Sequence, residues 1–142
     1  MAVINFFTEE VRFQLKQKRL IRTWLQEVCQ INNQTIDSLN YIYCSDKYLL
    51  EVNQTYLDHN YYTDIITFDN RDESDSPIVA DLFISIDRVR ENAKVEQTKF
   101  DKELHRVMVH GLLHLLGQND KTTSQKEEMT KREEASLSLL QI

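Results

Sequence analysis

Residues 100–117 constrain the fold most, because this segment is apolar on nearly every side of a helix. At about 100° per residue, its aliphatic side chains fall on opposite sides of the helix axis, a pattern typical of a buried helix. Between residues 107 and 116, the only polar side chains are those of His110 and His114. The segment therefore predicts a central buried helix that begins near Phe100. Its two imidazole rings need hydrogen-bond or metal partners.

The spacing of the two histidines favours a metal site. His110 and His114 are four residues apart and stack on one helix face, where one shared ion would satisfy both buried rings. Gly117 is expected to end the helix in the left-handed conformation, so that the reversed chain brings Asp120 to the same face. Two imidazoles, one carboxylate and an open position are typical of a catalytic zinc site. Gly111 leaves room for a close-packed strand or for substrate.

Two other interpretations of the histidine pair are open. The rings could be hydrogen-bonded to each other or to the backbone without any metal. Metalloproteases have the same spacing in H-E-x-x-H, where the glutamate is the general base. Gly111 stands at that position here, which disfavours protease chemistry.

The remaining pattern predicts an α+β fold of about four strands and five helices, in the order β-α-β-α-β-β-α-α-α. The predicted strands are 3–7, 39–45, 63–69 and 78–86, and an acidic turn at 71–77 makes the last two antiparallel. The predicted N-terminal residues of four helices are Thr8, Asp46, Asp87 and Ser124, the last forming a capping box with Glu127. With no repeat and no linker, residues 1–142 are expected to form one domain.

Two of these helices have predicted buried faces. The first helix is expected to run to about Ile31 and to bury Ile21, Trp24, Leu25 and Val28. The second is expected to bury Tyr48 or Leu49, Val52 and Tyr56.

Composition limits the classes of function. The net charge of -6 argues against a general nucleic-acid binder, so any RNA contact needs a local basic patch. Arg12, Lys16 and Arg19, at i, i+4 and i+7 of the first predicted helix, form either such a patch or a solvated face. The sequence shows no signal-peptide pattern, no membrane-length apolar run and only two cysteines, which favours a cytoplasmic location.

Three blocks of sequence carry a family resemblance. HGLLHLLGQND at 110–120 resembles the pattern H-G-x-L-H-L-x-G-x-D-H. Residues 53–68 read N-x-x-Y followed by T-D-I-I-T-F and resemble N-x-x-Y … T-D-V-L-S-F. ADLFIS at 80–85 resembles G-D-I-x-I-S. Together they resemble the YbeY family of bacterial metal-dependent endoribonucleases over nearly the whole chain.

The resemblance implies a zincin-like fold with one zinc ion per chain on the H-x-x-x-H helix, held by His110, His114 and Asp120. It also implies cleavage of single-stranded RNA in maturation of the 16S ribosomal RNA 3′ end and in ribosome quality control, with the small ribosomal subunit as partner and no membrane association. The oligomeric state is left open. Two departures from the family pattern bear on function: Asp120 replaces a histidine, and Leu57 replaces an arginine that would clamp phosphate.

The second departure leaves two functions open. Arg71, Arg106 or Lys121 could supply the missing positive charge to an endoribonuclease. Otherwise the protein would be an RNA-binding ribosome-assembly factor with a structural metal and little catalysis.

Other polar and aromatic residues have a functional and a structural interpretation. Asp64 is a candidate general base, or a strand-edge carboxylate bonded to local groups. Asp81 either orients a metal ligand or ties down a loop, and Lys121 could contact RNA. Tyr61 and Tyr62 either stack on unpaired bases or pack in the core or at its rim.

Overall fold

The computed structural model describes residues 2–141, which contain four strands and five helices. The strands are β1 (Val3–Glu9), β2 (Ile36–Cys44), β3 (Ile65–Asp69) and β4 (Ile78–Ser85). The helices are α1 (Lys18–Ile31), α2 (Asp46–Leu57), α3 (Ile86–Val95), α4 (Phe100–Leu115) and α5 (Thr123–Leu139). The α+β class and the order of the elements confirm the sequence prediction.

The four strands form one mixed sheet in the order β1-β2-β4-β3. Strands β1, β2 and β4 are parallel, and β3 pairs with β4 in the antiparallel sense, as the acidic turn predicted. Because side chains alternate along a strand, each strand divides its residues between two faces. One face forms the main core with α1 and α4, and the other holds a smaller apolar cluster beneath α2.

Helix α4 lies in the centre of the main core, as its apolar sequence predicted. Val109 and Leu113, on the side of the helix away from Met108, are as buried as the rest. The Tyr41 hydroxyl reaches into the helix and donates to the Met108 carbonyl oxygen at 2.9 Å. Burial on most sides fixes α4 in position, so its polar side chains emerge at a defined place.

Gly111 allows α4 to approach the sheet closely. A Cβ atom at this position would lie 2.5 Å from Leu82 Cδ2 and 2.7 Å from Ile65 Cδ1. Of the two alternatives given by the sequence, the close-packed strand is therefore the correct one.

The predicted start of the first helix is wrong. Thr8 does not cap a helix, because β1 continues to Glu9 and Thr8 pairs with Tyr43 of β2. Helix α1 begins only at Lys18, although its buried residues Ile21, Trp24, Leu25 and Val28 are those predicted. Arg12 and Lys16 consequently lie in the loop before α1, and the helical stripe they were predicted to form with Arg19 does not exist.

Three other helices begin on hydroxyl caps that the sequence analysis did not select. Ser45, not Asp46, caps α2 by accepting from Tyr48 N–H. Ser85, not Asp87, caps α3. The capping box of α5 is formed by Thr122 and Gln125 rather than by Ser124 and Glu127. In each case a Ser or Thr one or two residues earlier offers the same acceptor geometry, and the backbone turn decides between them.

The buried face of α2 also differs in part from the prediction. Leu49 and Val52 are buried as expected, whereas Tyr56 is 70% exposed and Asn53 is only 1% exposed. Asn53 is buried because its amide donates to the Tyr61 carbonyl oxygen at 2.9 Å, which ties the following loop to the helix.

Across residues 2–141, the helices are too short or too polar for any of them to cross a membrane.

Candidate metal centre

Three ligand atoms converge at the end of α4. The Nε2 atoms of His110 and His114 lie 3.0 Å apart, and Asp120 Oδ2 lies 3.4 Å from each of them. We call these three atoms the ligand triangle. The His110 and His114 side chains are 26% and 32% exposed and Asp120 is 36% exposed, so the triangle is open to solvent on one side.

The turn after α4 is what carries Asp120 to the histidines. Gly117 has a φ of 102°, the left-handed region predicted for it. Its N–H donates to His114 O at 3.0 Å, and Gln118 N–H donates to Leu113 O at 3.0 Å. This pair of bonds is a Schellman motif, which ends a helix and reverses the chain.

The ligand triangle has the dimensions of a tetrahedral zinc site. Bonds of about 2.0–2.1 Å to a tetrahedral ion separate neighbouring ligand atoms by roughly 3.3–3.4 Å. The three observed separations are 3.0, 3.4 and 3.4 Å. Three ligands on one face leave a fourth position free. The residues present therefore fit a zinc ion.

Glu133 of α5 fixes the orientation of His110. Its Oε2 atom lies 2.5 Å from His110 Nδ1. With Nδ1–H donating to this carboxylate, the Nε2 lone pair is directed at the ligand triangle. Arg106 in turn holds Glu133, through Nη1 at 3.1 Å from Oε1.

Glu133 is not among the site residues predicted from the sequence. A usable signal was present, because Glu133 follows the buried Met129 by one helical turn and therefore lies on the buried side of α5. A buried carboxylate needs a partner, and the His110 ring provides one.

The family model described as Endoribonuclease YbeY matches residues 3–141. The chain belongs to the YbeY family. Endoribonuclease YbeY of Cytophaga hutchinsonii is 54% identical over 136 residues, covering 96% of this chain and 94% of that protein. Endoribonuclease YbeY of Porphyromonas gingivalis (strain ATCC 33277) is 43% identical over 141 residues, covering 99% of this chain and 92% of that protein.

A solved structure shares the fold. The solution structure of TM1509 from Thermotoga maritima matches with a TM-score of 0.68 at 25% identity, covering 97% of this chain and 89% of that one. The architecture predicted from the three YbeY-like blocks is thus found in an experimental structure.

In this YbeY-family chain, opposing effects set the protonation of His110. Burial lowers the pKa of the imidazole, while the hydrogen bond and the negative charge of Glu133, together with Asp120 and Asp64, raise it. The carboxylates prevail, and the pKa of His110 lies above its ordinary value. The surroundings of the ring therefore favour positive charge at this point, whether carried by a proton or by a metal ion.

A cavity of about 90 Å³ lies beside His110. It is lined by Asp64, Ile65, Glu103, Arg106, Val107, His110 and Glu133. Burial raises the pKa of Glu103, whose Oε1 atom has no hydrogen-bond partner among the described residues. Asp64 accepts a hydrogen bond from Asn92 Nδ2 at 3.1 Å, so it is both locally bonded and close to the candidate metal ligand.

The three candidate replacements for the family arginine differ in availability. The Arg71 side chain is 4% exposed and is bound to Asp69 at 2.6 Å, and it donates to Leu115 O at 2.8 Å. Arg106 is engaged with Glu133 and Glu134. Lys121 is exposed and adjoins Asp120 in sequence.

Asp81 lies on the opposite side of the sheet from α4. It accepts hydrogen bonds from Asn40 Nδ2 at 3.0 Å and from Asn70 Nδ2 at 3.1 Å. Asp81 thus links β2 to Asn70, the residue that follows β3.

Proposed function

We propose that this protein is a zinc-dependent endoribonuclease that hydrolyses phosphodiester bonds in single-stranded RNA. The observation that carries the proposal is the ligand triangle of His110, His114 and Asp120, whose spacing fits a tetrahedral ion with an open position. The YbeY relatives are named endoribonucleases, which supports RNA as the substrate.

The ligand set determines how the site works. Zinc would supply Lewis-acid chemistry when bound, by lowering the pKa of water and polarising a phosphoryl oxygen. His110 and His114 offer neutral nitrogen ligands, and Asp120 adds one negative charge that moderates the acidity of the site. Glu133 keeps the His110 ring in place. Asp64, beside the same cavity, is the residue we assign to accept a proton.

Among the described residues, few free cationic side chains lie near the ligand triangle, which favours a substrate bound through only a few of its phosphates. Lys121 is the exposed cation next to Asp120 in sequence, and Arg12, Lys16 and Arg19 are exposed in and after the loop that precedes α1. We assign all four to RNA backbone contacts. By resemblance, the substrate is the 3′ end of 16S ribosomal RNA on the small subunit, in the cytoplasm.

RNA cleavage by zinc-loaded protein tests this function. Single-stranded and duplex RNA of the same sequence are incubated with the wild type and with the variants His114→Ala and Asp120→Asn. We expect cleavage of the single strand by the wild type, and loss of both bound zinc and cleavage in the two variants. Asp101→Asn is the matched control, because Asp101 is an exposed aspartate at the start of α4, the helix that contains His114. This variant should retain both bound zinc and cleavage.

A second function is favoured by Leu57 together with the engagement of Arg71 and Arg106 in ion pairs. A ribosome-assembly factor would bind RNA without needing a phosphate clamp at the metal. Binding of RNA or small subunits that survives both His110→Ala and His114→Ala, with no cleavage by the wild type, would establish this alternative.

A further inference from the structure

The loop between α2 and β3, residues 58–64, exposes two neighbouring aromatic rings. Tyr61 is 56% exposed and Tyr62 is 51% exposed, so neither ring packs in the core. Tyrosine is enriched at binding interfaces, because its ring is apolar while its hydroxyl stays hydrated. We call residues 58–64 the aromatic loop.

Each tyrosine ring is held by another side chain. The His59 ring lies nearly parallel to Tyr61, with centroids 5.2 Å apart and 22° between the planes, and the Tyr61 hydroxyl is 3.0 Å from His59 Nδ1. The Arg88 guanidinium lies 5.0 Å from the centroid of Tyr62. Each ring has a partner on one face, and each tyrosine is still about half exposed, which leaves room for a second partner.

The backbone of the aromatic loop is anchored. Asn53, which is almost completely buried, donates to Tyr61 O at 2.9 Å, and Gln54 donates to Asn60 Oδ1 at 2.5 Å. Arg88 is itself held by Asp46 at 3.0 Å. Rings fixed before binding lose little conformational entropy when a ligand stacks on them.

The end of the aromatic loop reaches the candidate metal centre. Asp64, two residues after Tyr62, lines the cavity that contains His110. The next residue, Ile65, lies directly against Gly111, the neighbour of His110. The end of the aromatic loop therefore adjoins the candidate metal centre.

We propose that Tyr61 and Tyr62 form a stacking platform for unpaired nucleobases next to the phosphate that is cleaved. This inference rests on the proposed endoribonuclease function and identifies part of its substrate site. Every base has a flat π-face, so stacking tolerates many sequences, and Arg88 supports one face of the Tyr62 ring. Bases inside a duplex are already stacked and paired, so the platform gives a physical reason for a preference for single strands.

The test measures binding of full-length, zinc-loaded protein to a single-stranded 2′-O-methyl oligonucleotide that is verified to stay intact. Two double variants are compared, one with Tyr61→Leu and Tyr62→Leu, the other with Tyr61→Phe and Tyr62→Phe. Phe7→Leu is the matched control, because Phe7 is an aromatic residue 50% exposed on β1, outside the aromatic loop. Equal melting temperatures verify that the variants fold.

We expect the leucine pair to weaken binding about fivefold or more, and the phenylalanine pair and Phe7→Leu to bind like the wild type. A strand of the same length with abasic sites should bind the wild type and the leucine pair equally. Quenching of 2-aminopurine in the strand should be seen with the wild type and lost with the leucine pair. This quenching by the wild type gives a readout that does not depend on folding of the variants.

The outcomes separate the two proposals. If the wild type binds and cleaves RNA but the leucine pair binds with unchanged affinity, the stacking platform is refuted and the endoribonuclease function stands. If the wild type neither binds nor cleaves RNA, both are refuted.

Discussion

Glu133 Oε2 lies 2.5 Å from His110 Nδ1, so the last helix of the fold holds a residue of the candidate metal site. Glu133→Gln keeps the shape of the side chain but removes the charge that strengthens the imidazole as a ligand. We expect this change to lower zinc affinity about 10- to 100-fold, as for other partners of metal-bound histidines. Competition with a chromophoric chelator measures the affinity.

Glu134→Gln is the control for that experiment. Glu134 also contacts Arg106, with its Oε1 atom 2.5 Å from Nη2, but its side chain is 54% exposed. The Glu134→Gln variant should therefore retain the zinc affinity of the wild type. Equal losses in both variants would mean that Arg106, and not the orientation of His110, governs the effect.

Zinc is expected to stabilise the wild-type fold. A ligand that binds only the native state at a concentration 100 times its dissociation constant adds about 2.7 kcal/mol to the free energy of unfolding. His114→Ala removes one corner of the ligand triangle, so zinc should raise its melting temperature far less. Differential scanning calorimetry with and without zinc measures this, and equal shifts in both proteins would count against a metal at this place.

Gly111→Ala should destabilise the protein by about 1 kcal/mol. Alanine improves helix propensity by about 1 kcal/mol, but overpacking a core costs about 1–3 kcal/mol. Here the new Cβ atom would lie 2.5 Å from Leu82 Cδ2 and 2.7 Å from Ile65 Cδ1, so the overpacking should prevail. Urea denaturation of the variant gives the free energy of unfolding.

A double-mutant cycle identifies the cause of that loss. Ile65→Val removes the Cδ1 atom that the new methyl group would meet. The combined variant Gly111→Ala with Ile65→Val should lose less stability than the sum of the two single changes. Strict additivity would show that the contact with Ile65 is not responsible.

Thr122→Ala should lower the free energy of unfolding by about 1 kcal/mol, because it removes the hydroxyl that accepts from Gln125 N–H at the start of α5. Ser124→Ala is the matched control, and we expect a change within about 0.5 kcal/mol. A larger effect at Ser124 would contradict the observed capping box.

His105 should make stability depend on pH. Burial against Trp24 lowers the pKa of His105, an effect that the charge of Asp101 only partly offsets. The unfolded chain then binds a proton more readily than the folded one, so this contribution is complete above the unfolded value of about 6.5 and is lost as the pH falls below it. His105→Phe should flatten the decline between about pH 7 and pH 5. Denaturation curves of both proteins across this range, under identical zinc conditions, measure the difference, and parallel declines would contradict the prediction.

What the sequence predicted well was encoded locally. The apolar circumference of α4, the four-residue spacing of His110 and His114 and the left-handed Gly117 all follow from neighbouring residues. Their consequences, a buried helix and a reversal that returns Asp120, needed no knowledge of the remaining fold.

What the sequence did not reveal depends on distant contacts. Glu133 is hydrogen-bonded to His110, 23 positions away in the chain. Arg71 donates a hydrogen bond to the Leu115 carbonyl oxygen, 44 positions away. The late start of α1 has a similar cause, because pairing of Thr8 with Tyr43 of β2 extends the first strand. The predicted helix caps were wrong for a different reason, because adjacent Ser, Thr and Asp side chains are nearly equal as hydrogen-bond acceptors for the first turn of a helix.

The position of α5 after every other element has a consequence for synthesis of the protein. A ribosome releases the chain from its amino end, so the sheet and α4 emerge before Glu133 does. Until then the His110 ring lacks the carboxylate that aims it. Tight binding of a metal ion by the ligand triangle would therefore require α5 to have been synthesised and packed against α4.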